Sequence, residues 1–149
     1  MFKTLTLVLM VACGSLQAAD GVMQSSAEIS AALSKATANG GMKSAPVSIA
    51  DQHRINVVNR VSPGTPLAHI GESELHYIID GAATVVIGGK ISGTAGAAKG
   101  GSGEVIEGGQ TRRVTKGDVV FVPAGTPHWY KEVEGTVTYL EVRFEEGKK

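Results

Sequence analysis

The chain is short of several things, and each shortage removes a class of protein. Only one of its 149 residues is cysteine, Cys13, and it lies in an N-terminal stretch with the marks of a removable leader. With that stretch removed, neither a disulfide framework nor a thiolate nucleophile is available, so a metal site would have to be built from histidine and carboxylate. A surplus of one charge is also missing: 14 basic residues balance 14 acidic ones, with no basic run. Nucleic acid is a poor partner on that ground, since phosphate binding rests largely on a positive face. The mainly apolar run from Leu5 to Leu16 is shorter than the ~20 residues a spanning helix needs. No transmembrane span is therefore expected in the mature chain.

That run instead has the pattern of a signal peptide. Lys3 supplies a positive charge before it, and Ala18 and Ala19 offer small residues for cleavage after it. The expectation is a signal peptide over residues 1–19 and a periplasmic or secreted mature protein. An alternative lies in "MVACGS", where Ala12-Cys13 resembles a bacterial lipoprotein cleavage site and would tether the protein by a lipid on Cys13.

What remains fits one ordinary domain, large enough to bury a core. Twenty glycines, few aromatics and many Val, Ile and Thr residues favour turns and strands. One helix is expected between Gln24 and Asn39: Ser25 with Glu28 makes a capping box, Ile29, Leu33 and Ala36 recur at helical spacing, and Asn39-Gly40-Gly41 stops it. This helix and its linker take up residues 20–45. From Pro46 the period becomes that of strands. "VSIA" and "HRINVVNRV" precede a turn at 62–66, and "ELHYII" and "ATVVIGG" read as a hairpin around Asp80-Gly81. Further short strands follow to residue 144. Such spacing predicts an all-β, antiparallel sandwich or barrel with one N-terminal helix. Residues 88–103, rich in Gly, Ala and Ser, read as a surface loop or a lid at a barrel mouth. Residues 145–149 read as a solvated tail.

Chemistry concentrates in two stretches. In "AHIGESELHYIIDG", Glu74, His76 and Ile78 share one face of a strand, and the apolar set Leu75, Tyr77 and Ile79 shares the other and suits packing. A carboxylate and an imidazole two residues apart can reach one ion, and His69 lies in the loop feeding the strand. Taken alone, each histidine is as well explained by structural hydrogen bonding. In "KGDVVFVPAGTPHWYKE", Pro123 and Pro127 fix the backbone around Gly125, so the turn delivers His128 repeatably onto the next strand. Tyr130 shares the face of His128 and can line a pocket, whereas Trp129 points the other way and packs. His53, Arg112, Arg113 and Glu132 receive no functional role.

The second stretch resembles the cupin pattern G(X)5PXG(X)2H(X)3N. Gly117, Pro123, Gly125 and His128 are all in place, and Glu132 stands where the family has Asn. The family's first pattern, G(X)5HXH(X)3-4E(X)6G, is matched at His69, Glu74 and Gly81. Leu67 replaces its first histidine and Val61 its opening glycine. The resemblance covers residues 46–144 and implies a jelly-roll β-barrel, often a homodimer, with a divalent metal inside. Carried over, the ligands are His69, Glu74 and His128. Because position 67 cannot coordinate, His76, which shares the inward face with Glu74, is expected to supply the missing donor. Such mixed N and O donors suit Fe or Mn, with Zn, Ni or Cu also compatible. The implied function is an exported metal-dependent enzyme of oxygenase, isomerase or lyase type acting on a small organic molecule, with Glu74 as ligand or general base. The alternative is a non-catalytic module that binds a small molecule or sugar, with or without metal.

Overall fold

The structure is a computed structural model and describes residues 21–50, 53–93 and 104–146. The expected signal segment, residues 1–19, lies outside these, as do residues 94–103 of the Gly-rich stretch. No helix among the described residues is long and apolar enough to cross a membrane.

The N-terminal helix α1 spans Ser26–Lys35, and its capping box forms as the sequence predicts: Glu28 N donates to the Ser25 side chain, and the Glu28 carboxylate accepts from Ser25 N. None of its residues is buried, so it lies on the outside of the fold. Strand β1 (Met42–Ala50) pairs antiparallel with β2 (His53–Arg60). It begins four residues before Pro46 and accommodates that proline at the sheet edge, where the register shifts between Pro46 and Ser48.

The largest departure from expectation is at Asp80-Gly81. No hairpin turns there. One strand, β3, runs from Glu72 to Ile87. Gly81 takes a positive φ of 78°, and register shifts flank it, so the chain bulges and bends instead of reversing. A side chain at Gly81 would collide with the Thr136 carbonyl oxygen, so the residue answers a close backbone approach as well as the φ. The Asp-Gly pair signals a turn only when the flanking segments pair with each other, and here both halves pair with the same partner.

That partner is β8 (His128–Glu145), which lies antiparallel along almost all of β3. Sheet order is β1-β2-β8-β3, continued by β6 (Gln110–Thr115) beside the second half of β3, while β7 (Val119–Val122) pairs with its first half. The short strands β4 (Lys90–Ser92) and β5 (Val105–Glu107) form a separate two-stranded ribbon, so part of the expected 88–103 loop is strand. The main core joins Val58, Ile78, Ala83, Val85, Val114 and Tyr139 among others. A satellite cluster of Ala68, Val86, Ile91 and Ile106 packs under the ribbon, with Trp129 against it. The whole is an antiparallel β-barrel with one helix.

The apolar set Leu75, Tyr77 and Ile79, expected to pack, faces outward instead: Tyr77 is exposed and its neighbours only half-buried, whereas Glu74 and His76 are buried with Ile78. The C-terminal tail is also shorter than expected. Glu145 still belongs to β8, and Glu146 accepts from the Ser73 hydroxyl and donates through its backbone N to the Gly71 carbonyl.

Candidate metal centre

Three segments build the polar interior. The first half of β3 points Glu74 and His76 inward, and both are almost wholly buried. The 123–127 turn brings in His128: Thr126 N donates to the Pro123 carbonyl, and Gly125 N donates to the carbonyl of His69. Leu67 and His128 then form a two-way backbone bridge, with N–O distances of 3.1 and 2.8 Å. The turn thus fixes His128 and His69 by the same set of bonds.

Glu74 is the hub. Its Oε1 lies 3.0 Å from His69 Nε2 and its Oε2 lies 2.9 Å from His76 Nε2 and 3.5 Å from His128 Nε2. The donor atoms fall into two triads that share it, His69–Glu74–His128 and Glu74–His76–Glu141, each within 4.8 Å. Glu74 thus joins His69 and His128 in one triad, and His76 lies in the other, on the Glu141 side of the carboxylate. Tyr130, the predicted pocket residue, is buried and its hydroxyl lies 3.1 Å from His76 Nδ1. His53 is exposed and lies 3.3 Å from the Ser48 hydroxyl, and Arg113 pairs with Glu134 at the surface.

Protonation follows from the partners. His128 Nδ1 sits 3.2 Å from the Thr126 carbonyl, which can only accept, so Nδ1 carries the proton and Nε2 keeps its lone pair toward Glu74. Burial holds the His128 and His69 pKa values below their ordinary range, which keeps both rings neutral near pH 7. Burial alone would raise Glu74, but the hydrogen bond from His76 and the nearby His128 and Arg143 overcome it and bring its pKa down to about 2. Burial pushes Tyr130 well above the ordinary phenol range and Tyr139 up to about 12, so both stay protonated.

A cation fits this arrangement on one specific observation. His69 Nε2, Glu74 Oε1 and Arg143 Nε are buried without a hydrogen bond among the described residues; the first two face each other at 3.0 Å, and Arg143 Nε lies 3.2 Å from the same Glu74 oxygen. Such atoms cost ~1–3 kcal/mol each unless something satisfies them. Two neutral imidazoles and an ionised carboxylate are the donors a divalent metal takes.

Sequence reasoning missed the opposing wall. Tyr139, Glu141 and Arg143 alternate inward on β8, directly across from Ile78, His76 and Glu74. Arg143 Nε lies 3.2 Å from Glu74 Oε1, its Nη2 donates to Glu141 Oε1 at 3.0 Å, and Asn56 donates to the other Glu141 oxygen. The period-2 alternation in "TYLEVRF" was the available signal. Arg60, which donates from Nε to the Tyr139 hydroxyl at 2.9 Å, came from a strand with no motif.

The family described as Cupin domain matches residues 95–143. Among solved structures, KdgF from Halomonas sp. superposes with a TM-score of 0.56 at 18% identity, over 74% of this chain and 84% of that one. The Cnp3 cupin domain of Schizosaccharomyces pombe gives 0.56 at 15% identity, over 76% of this chain and 72% of that one. The chain has the fold of these cupin structures, and its residues 95–143 match the cupin family. A variant oxalate decarboxylase of Bacillus subtilis shares the fold at a TM-score of 0.53 and 20% identity, over 79% of this chain but 29% of that one. No match is found among curated protein sequences. The chain departs from the cupin pattern at position 67, and the structure shows what stands there: Leu67 lines the small chamber of about 30 Å³ that His69, Glu74, His76 and His128 also line.

Proposed function

We propose that this chain is an exported, metal-dependent cupin enzyme that binds one divalent cation through His69, Glu74 and His128 and acts on a small organic molecule. The observation that carries the reading is the pair of buried atoms, His69 Nε2 and Glu74 Oε1, that face each other without hydrogen bonds. Two histidines and one carboxylate with open positions suit Fe(II), and Mn(II) fits the same donors, with Zn, Ni and Cu compatible. When bound, the metal supplies Lewis acidity or, if it is iron, dioxygen activation. Glu74 serves as ligand in this reading: a carboxylate with a pKa near 2 holds its charge and makes a weak base. The name of the oxalate decarboxylase neighbour supports enzymatic use of this fold, though fold alone does not set chemistry.

His76 is the proposed fourth donor, in place of the family histidine absent at position 67. Its Nδ1 is anchored by Tyr130, and its Nε2 is 2.9 Å from Glu74, but it groups with Glu141 rather than with the other two histidines. Export rests on residues 1–19, and a homodimer is supported by Tyr77, Val119 and Phe121, exposed side by side on the outer face where β3 meets β7. The second reading, a non-catalytic binding barrel, is favoured by Leu67 on the chamber wall.

Metal analysis of protein purified without chelators is the test. About one equivalent per chain in the wild type, lost in His128→Ala, is expected. Substoichiometric metal unaffected by His128→Ala contradicts the proposal. Metal affinity unchanged in His76→Ala removes His76 from the ligand set while leaving the other three.

A further inference from the structure

A second cavity, about 260 Å³, adjoins the small chamber and shares His69, Leu67, Arg60, Glu141 and Arg143 with it. Three arginines, Arg54, Arg60 and Arg143, line this cavity, and their charges are not equally available. Arg54 pairs with Glu72 at 2.7 Å. Arg143 lies among Glu74 at 3.2 Å, Glu141 at 3.0 Å and Glu72 at 3.8 Å. Arg60 has no carboxylate partner among the described residues: its Nε donates to the Tyr139 hydroxyl, its guanidinium carbon sits 5.2 Å from the Tyr130 ring centroid, and its terminal nitrogens make no hydrogen bond within the described chain. The Tyr139 hydroxyl and the Tyr130 ring hold the guanidinium at the border of the two cavities, and its Nη1 and Nη2 donors are left without a partner among the described residues.

We propose that Arg60 is the substrate-binding residue for the carboxylate of a small organic acid whose other end reaches the metal centre. This rests on the metal-dependent reading above and gives its substrate a chemical class. A planar fork with two parallel N–H donors matches a carboxylate in a bidentate way. One unneutralised guanidinium balances the single charge of a carboxylate and falls short of the near-double charge of a phosphate. The cavity is at or below the small end of ligand sites, ~300 Å³ and upward, so the acid has few carbon atoms. Arg60 borders both spaces, so one molecule can occupy the larger cavity, engage Arg60 and extend toward His69.

The test is calorimetric titration of the full mature chain, metal-loaded and EDTA-stripped, in a buffer free of carboxylate and phosphate. Malonate and succinate are the probes, with dimethyl malonate and inorganic phosphate as controls. The expected result is binding of at least one dicarboxylate, weakened tenfold or more in Arg60→Gln and by less in Arg60→Lys, with metal content unchanged in both. Should Arg60→Gln fail to fold, the Arg60→Lys loss carries the test, because it keeps the charge and removes the fork. The proposal is overturned if neither dicarboxylate binds better than its ester, if phosphate binds more tightly than both, or if the folded Arg60 variants bind as the wild type does. Failure of the metal reading looks different: the chain then holds no metal, yet the stripped wild type still binds dicarboxylate through Arg60.

Discussion

The two halves of β3 lie on one strand, against one partner, and face the same interior with opposite chemistry. Residues 74–78 point Glu74 and His76 into the barrel, and residues 82–87 point Ala83 and Val85. Between them the bulge at Ile79 and the bend at Gly81 move the inward set from even to odd numbers. The difference shows where each kind of energy resides. In the second half, burial of Val and Ala against β6 and β8 contributes stability of ~25 cal/mol per Å². In the first half, a buried carboxylate is held by imidazoles and an arginine, an arrangement that is weak evidence for stability and marks a candidate site.

The largest separation of the two halves is expected from Glu74→Gln, which should remove all bound metal, as measured by metal analysis, while the folded barrel persists by circular dichroism. Ile78→Ala, one step further along the same face, should do the reverse. It is fully buried in the main core, so about 2–5 kcal/mol of stability should be lost in urea unfolding, with metal per folded chain unchanged.

Acid sharpens the contrast. Glu74 titrates lower in the folded chain than in the unfolded one, so its contribution is present above its unfolded pKa of 4.5 and is lost as pH falls toward about 2, on the order of 3 kcal/mol. His69 and His128 are lowered from 6.5, so unfolding begins to gain protons already below that value. The metal-stripped wild type should therefore lose stability in two stages below pH 6.5, and Glu74→Gln should lack the lower stage. Tyr130→Phe leaves His76 Nδ1 buried without its partner and should cost about 1–2 kcal/mol in the same unfolding assay. The smallest effect is expected far from both halves: Ser25→Ala removes the cap of a helix that buries nothing, costing at most about 1 kcal/mol with no change in metal.

Much of this was legible in the sequence where chemistry is local. The capping box at Ser25 and Glu28 and the proline-framed turn before His128 depend on residues a few positions apart, and both form as read. The two faces of β3 were legible as an alternation, and the cupin resemblance set Glu74 and His76 on the inward one, although Leu75 and Tyr77 look more core-like by residue type. Asp80-Gly81 misled because a bulge and a hairpin turn ask for the same glycine, and only long-range pairing with β8 distinguishes them. Glu141, Arg143 and Arg60 were hidden for the same reason: they reach the site by register across strands, from segments that carry no motif of their own.

The central claim is that His69, Glu74 and His128 form one metal site, and titration of the EDTA-stripped chain with Mn(II) tests it most directly. Saturation at one ion per wild-type chain is predicted, with binding abolished separately by His69→Ala, Glu74→Gln and His128→Ala. Absence of binding in the wild type, or equal binding in the wild type and the three variants, would contradict it.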